Sequence, residues 1–283
     1  YGGQGGLGDV VLHPNFSQNN ILYFSYVNYD KNNVELTGAV VASAVFENVY
    51  EPKLTNIQIV WEQMPKRFGL GHYSHRLVFG LAGSEHENKL FITSGDRQHG
   101  ASAQDLGSSL GKIIRINHDG GLPDDNPFQM RGQLAKSFWT LGHRNALGIA
   151  FDLNGRLWSH EMGPKHGDEL NLVEPAKNYG WPLVSEGSHY DGREIPNHFS
   201  QPKFRAPVIS WTPTIAPSGL VFYSGSKFRD WEGNALIGGL KSRALIRVGF
   251  VGTTSFELER FEWGQRVREV EIAADGSIWV LED

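Results

Sequence analysis

The chemistry-bearing residues of this chain are densest between Leu141 and Pro182, a stretch that reads LGHRNALGIAFDLNGRLWSHEMGPKHGDELNLVEPAKNYGWP. Arg144-Asn145 opens it, and a Gly163-Pro164 turn leads to Asp168-Glu169. An arginine presents a planar fork of donors that matches a carboxylate. A Gly-Pro turn beside acidic residues offers the oxygen ligands that hard cations prefer. Loops of this composition can hold an anion and a cation side by side. A second cationic pair, Arg266 and Arg268, flanks Val267, and alternate residues of an extended strand share one face. By itself such a pair is more often a solvated strand face than an anion grip. His72, in GHYSH, is a lone loop histidine, which by itself is more often structural than catalytic.

Strands must position these loops. Short apolar runs separated by Gly, Asn and Asp turns predict strands at Ile21–Val27, Val40–Phe46, Ile57–Glu62, Lys89–Thr93, Lys112–Asn117, Leu157–His160, Glu169–Val173, Leu220–Tyr223, Ala235–Ile237, Leu245–Phe250 and Val267–Ala273. One short helix is expected within Gln129–Trp139. A degenerate repeat of strand, turn and apolar-aromatic strand runs beneath them. It is visible five times: VVLHPNFSQNNILYFSY, RLVFGLAGSEHENKLFITSGD, GIAFDLNGRLWSHEMG, GLVFYSGSKFRDWEGNALIGGL and VREVEIAADGSIWVLED. Irregular spacing suits propeller blades with loop insertions better than a solenoid of fixed period. In such a ring, loops distant in sequence converge on one face.

Composition bounds the partners. The chain has 283 residues and a net charge of −5, which argues against a nucleic-acid footprint. No apolar run approaches the length of a membrane span. With no Cys, disulfides, thiolate chemistry and a CxxCH haem attachment are impossible. Thirty-four Gly and 13 Pro point to many turns in an all-β chain, read as one domain over 1–283. The chain opens at Tyr1 and stops just after the strand-like run Ser277–Leu281, so flanking strands are expected outside it.

Seven segments together resemble a known family: GGQGGLGDVVLHPNF, GHYSHRLVF, DGGLPDDNPF, LGHRNALGIAF, GPKHGDELN, NYGWP and QRVREVEIAADGSIWVL. They are similar, in order and over nearly the whole chain, to the soluble PQQ-dependent aldose sugar dehydrogenases of the glucose/sorbosone dehydrogenase family. The resemblance implies a six-bladed β-propeller, a periplasmic or secreted location, PQQ and Ca²⁺ as cofactors, an aldose substrate and an external electron acceptor.

It also assigns roles. His72 matches the general base that takes the anomeric hydroxyl proton. Arg144 and Asn145 match the pair at the quinone carbonyl, where a fixed guanidinium stabilises developing negative charge. Lys241, Arg266 and Arg268 match the cations that hold the cofactor carboxylates, and Gln4 and Gln98 match further cofactor contacts. Gly163 and Pro164 match the turn whose carbonyls ligate Ca²⁺. Asp168 and Glu169 could bind a further Ca²⁺ or cap the loop, and Trp211 could carry the sugar ring or be buried structure.

Two positions depart from the family pattern. Gly71 stands where an Asp or Asn precedes the base, and His75 stands where a Gly is usual. The implied reaction is oxidation of an aldose at C1 to the aldonolactone. Two other classes stay open: a propeller without cofactor that serves as a protein-binding module, and a Ca²⁺-dependent lactone hydrolase.

Overall fold

The computed structural model describes residues 2–48 and 50–283. Backbone contacts divide the chain into two compact units, 1–145 and 146–283. Both are built from antiparallel sheets in which consecutive strands are neighbours.

The first unit holds two four-stranded sheets. One contains β1 (Leu7–Leu12), β2 (Ile21–Tyr29), β3 (Thr37–Glu47) and β4 (Lys53–Glu62). The other contains β5 (Ser74–Phe79), β6 (Lys89–Ser94), β7 (Lys112–Asn117) and β8 (Phe138–Leu141). In the second unit, β9 (Ala146–Phe151), β10 (Leu157–Glu161), β11 (Asp168–Leu172) and β12 (Ile209–Trp211) form one sheet. Next come β13 (Pro217–Phe222), β14 (Ala235–Gly239), β15 (Ala244–Val251) and β16 (Thr254–Glu262). A two-stranded sheet of β17 (Val267–Ile272) and β18 (Ile278–Glu282) completes the described residues.

Each of the five sequence repeats supplies the first hairpin of one sheet. The turns follow from their residues. In the β9–β10 turn, Asp152 Oδ1 accepts the amides of Asn154 and Arg156 at 2.9 Å, and Gly155 takes the left-handed φ of 76°. In the β17–β18 turn, Asp275 Oδ1 accepts the Ser277 amide and Gly276 has φ 81°. These side chains satisfy turn amides that no strand partner reaches.

Sheets within each unit pack through their apolar faces. Tyr23, Val41, Leu77, Ile92, Ile114 and Phe138 share one core in the first unit. Trp158, Leu170, Trp211, Leu220, Ile237 and Ile246 share another in the second. Burial of each large apolar side chain contributes roughly 1.5–3 kcal/mol, so the inner strands dominate the stabilisation. β10 and β14 are buried at every position, whereas β16 follows a largely exposed pattern.

The helix expected within Gln129–Trp139 does not form. Gly132 adopts φ 121°, a single 3₁₀ turn spans Ala135–Ser137, and Phe138 enters β8, where it pairs with Ile114. Sheet pairing and core burial of Phe138 and Trp139 override the local helical pattern. Among the described residues, no helix is long and apolar enough to cross a membrane.

Candidate active site

Five of the sequence-predicted residues gather at one end of the first unit. Gln4 precedes β1, His72 lies just before β5, Gln98 follows β6, and Arg144-Asn145 follows β8. Antiparallel pairing, with Ser74 opposite Ser94, brings the start of β5 to the end of β6. Gln4 Oε1 accepts the His72 amide at 2.7 Å. Ser74 Oγ donates to Asn145 Oδ1 at 3.1 Å. The Asp96 amide donates to the Arg144 carbonyl at 2.8 Å.

Asp96 is the centre of this group. Its Oδ1 lies 2.7 Å from His72 Nδ1 and also accepts the Gln98 amide at 2.8 Å. Asp96 is 1 % exposed and His72 is 8 % exposed, so water competes weakly for the contact. A carboxylate facing Nδ1 fixes the imidazole tautomer with its proton there, which leaves the lone pair on Nε2. Such an arrangement can orient a ring to act as a base.

The backbone around the base is held in an uncommon form. His72, Ser74, His75, Arg97 and Gln98 all have φ between 51° and 61°. Non-glycine residues in this region are uncommon and persist where the surroundings over-determine them. Gly95 permits the closest approach, since a Cβ there would lie 2.1 Å from the His72 carbonyl oxygen. The Gly71 departure also has a local explanation: a Cβ on Gly71 would come within 3.0 Å of the Gln98 carboxamide. Gln98 occupies space that a side chain at position 71 would need.

In the second unit, Asp168 links the predicted residues Gly163 and Lys241 through the Thr214–Ala216 turn. Its Oδ1 accepts the Gly163 amide at 2.9 Å. Oδ2 accepts Thr214 Oγ1 at 2.5 Å and the amides of Ile215 and Ala216 at 2.8 Å. The Ile215 carbonyl in turn accepts the Lys241 amide at 3.0 Å, and the Arg243 carbonyl of the same turn accepts the Trp263 amide at 2.9 Å. Gly163-Pro164, Lys241 and the approach to β17 are thus contiguous. Asp168 is 1 % exposed, and both its oxygens are occupied by protein donors, so it caps the loop.

Arg266 and Arg268 share one strand face, as their spacing predicts. Both reach Asp283 Oδ2, Arg266 Nη2 at 3.0 Å and Arg268 Nη2 closer still, while Val267 between them is fully buried. The pair therefore already grips one carboxylate. Glu169 stands opposite Glu161 in the β10–β11 register. Burial, reinforced by the Glu161 charge, pushes its carboxyl well above the usual range. Among the described residues, no group of three or more His, Asp or Glu side chains is placed to hold a metal ion.

Trp211 is buried structure. It is 5 % exposed, packs in the second unit's core and donates from Nε1 to Glu257 Oε2 at 2.8 Å. A cleft of about 650 Å³ in the same unit is lined by residues including Lys177, His198, Lys203 and Arg205, and it contains none of the predicted site residues. The sequence reading missed Asp96 and Arg97. GDR looks like ordinary turn composition, and only the fold carries the 24-residue separation to His72.

Comparisons with known proteins give the family and the fold. The family pattern described as "Glucose / Sorbosone dehydrogenase" matches residues 1–283. The "Aldose sugar dehydrogenase YliI" of Escherichia coli is 36% identical, over 99% of this chain and 75% of that protein. The crystal structure of the soluble aldose sugar dehydrogenase from Escherichia coli in the apo form superposes with a TM-score of 0.90 at 35% identity, covering 99% of this chain and 80% of the other. The PQQ-bound aldose sugar dehydrogenase of Streptomyces coelicolor gives 0.79 at 26% identity, covering 100% and 75%. The all-β propeller expected from the repeats is the fold of this chain.

Proposed function

The chain belongs to the glucose/sorbosone dehydrogenase family, and from that premise we propose that it oxidises aldose sugars at C1 to aldonolactones, with PQQ as hydride acceptor. The observation that carries this reading is the buried contact of His72 Nδ1 with Asp96 Oδ1 at 2.7 Å, beside Gln4 and Arg144.

The donor set suits a flat tricarboxylate. Arg266 and Arg268 together hold one carboxylate in the structure, which is the chemistry that a PQQ carboxylate requires. Lys241 supplies a further cation, while Gln4, Gln98 and Asn145 supply neutral polar contacts. For Ca²⁺, the ligands would be the carbonyls of Gly163 and Pro164. Asp168 holds that turn in place through the Gly163 amide. Bound PQQ with its Ca²⁺ supplies the electrophile that accepts hydride, the ion withdrawing charge as a Lewis acid.

The protein supplies orientation and proton handling. His72 takes the anomeric hydroxyl proton at Nε2, and Asp96 stabilises the imidazolium that results. Arg144 provides fixed positive charge where an oxyanion develops. Electrons pass, in this reading, to an external acceptor. We read residues 1–283 as one propeller domain, located in the periplasm or secreted.

The test is direct. Purified protein is given PQQ, CaCl₂, glucose and a dye acceptor, and dye bleaching that needs PQQ is expected. His72→Ala should lower turnover by about 10²–10⁴-fold with PQQ binding retained, whereas Arg266→Ala should first weaken PQQ uptake. Lactone hydrolysis without PQQ would instead identify a hydrolase. Silence in both assays, with the protein folded, would identify a binding module.

A further inference from the structure

Arg97 is a buried cation whose contacts all fall on the segment that carries His72 and on the strand beside it. It is 1 % exposed. Nη1 donates to the Gly71 carbonyl at 2.6 Å, and Nη2 donates to the Gly69 carbonyl at 2.7 Å and to Thr37 Oγ1 at 2.9 Å. The guanidinium carbon stands 3.7 Å from the centre of the Tyr73 ring. The Arg97 amide donates to the His72 carbonyl at 3.2 Å. One residue therefore grips the position before the base, the base itself and the position after it.

The neighbours of Arg97 complete the grip. Asp96 takes the imidazole, and the Gln98 side chain lies against Gly71. The Tyr73 hydroxyl pairs with Thr37 Oγ1 at 2.7 Å and donates to the Gly69 carbonyl at 3.2 Å, so the ring under the guanidinium is itself tied to Arg97's partners. Taking a guanidinium out of water is costly unless its donors are matched. Here carbonyl dipoles and an aromatic face match the two Nη groups, while Nε is buried without a hydrogen-bond partner. A planar fork reaches two carbonyls while stacking on a ring, which a lysine ammonium cannot reproduce.

We propose that Arg97 is the positioning residue for the catalytic base: it holds the Gly69–Tyr73 segment so that the His72 imidazole faces Asp96. This rests on the reading of His72 as the base. Arg97 itself touches neither substrate nor cofactor in this scheme. It acts through His72.

The test separates positioning from catalysis. Full-length protein labelled with ¹⁵N-histidine is compared with Arg97→Lys, the His72 signals being assigned by their loss in His72→Gln. In the wild type, the Nδ1-bound proton of His72 is expected as a distinct low-field resonance. In Arg97→Lys, that resonance should broaden or vanish, and kcat for glucose with PQQ should fall 10-fold or more while KM changes less than 3-fold. Tyr73→Leu, which removes the ring beneath the guanidinium together with its hydroxyl contacts to Thr37 and Gly69, should give a smaller loss in the same direction and serves if Arg97→Lys does not fold. An unchanged His72 resonance in a folded variant would overturn the proposal, as would unchanged kcat in Arg97→Lys. If the wild type shows no sugar oxidation but the resonance still depends on Arg97, the positioning stands and the reading of His72 as a base fails.

Discussion

The His75 ring fills the space that Gly8 leaves open: a Cβ on Gly8 would lie 1.8 Å from His75 Cε1 and 2.0 Å from Nδ1. The histidine that departs from the family pattern is therefore matched by a glycine on the facing strand. Gly8→Ala forces the ring out of a packed site, and overpacking of this kind costs about 1–3 kcal/mol. Urea unfolding should show that loss. Gly8→Ala/His75→Gly should be less destabilised than the sum of its single variants, because the clash is gone. Strict additivity would count against the packing account.

His75 also makes stability pH-dependent. Its Nδ1 lies 2.8 Å from Ser25 Oγ, which donates onward to the His75 carbonyl at 2.8 Å. Burial, with a smaller effect from the neighbouring Arg76 charge, lowers the imidazole to about 3. The unfolded chain takes up this proton near pH 6.5, and the folded chain resists until about 3. Stability contributed by the neutral ring is complete above pH 6.5, declines as pH falls, and is lost by pH 3. The limiting slope is about 1.4 kcal/mol per pH unit. Unfolding free energies measured between pH 7 and 4 should show that slope in the wild type, and a flatter curve in His75→Gln.

The hairpins were legible because their turns are spelled in Asp, Asn and Gly. DLNGR and AADGS place an acceptor two residues before the amide it serves and a glycine at the left-handed position. Outer strands were harder to read. TSFELERFE pairs along β15 through eight registered positions, yet its alternating Phe256 and Leu258 are exposed and four of its nine residues are charged, so it does not read as a core strand. The site was legible in part. His72, Arg144 and the Arg266–Arg268 pair follow from sequence pattern and family resemblance, whereas Asp96 and Arg97 do not. Their partners are a histidine ring and backbone carbonyls more than 20 residues away, and no local signal encodes them. Trp211, left open by its sequence between a sugar platform and buried structure, is claimed by packing.

Asp168 should matter to the fold of the second unit through the groups it holds. Replacing it with Ala strands four donors, the amides of Gly163, Ile215 and Ala216 and the Thr214 hydroxyl. Buried unsatisfied donors cost about 1–3 kcal/mol each before relaxation, so a total loss of about 3 kcal/mol or more is expected. If Gly163 and Pro164 hold Ca²⁺ as proposed, CaCl₂ should raise the Tm of the wild type and raise it less in Asp168→Ala, because Gly163 is among the released groups. Asp168→Asn keeps an acceptor and should recover part of both. A variant as stable as the wild type would show that the four contacts contribute little.

Trp211 provides the sharpest separation of packing from substrate binding. Its indole lies in the core formed between two sheets of the second unit, and its one polar atom is used by Glu257. Hydrogen bonds from Trp211 and Arg260 hold the Glu257 carboxyl below its usual range against the opposing effect of burial. Trp211→Phe should therefore lower stability, by about 1–3 kcal/mol in urea unfolding, through lost ring area and a lost charge-assisted hydrogen bond. Sugar kinetics should hardly respond, with KM for glucose within 2-fold of the wild type. A KM increase of 10-fold at unchanged stability would place the indole against the sugar and contradict its burial.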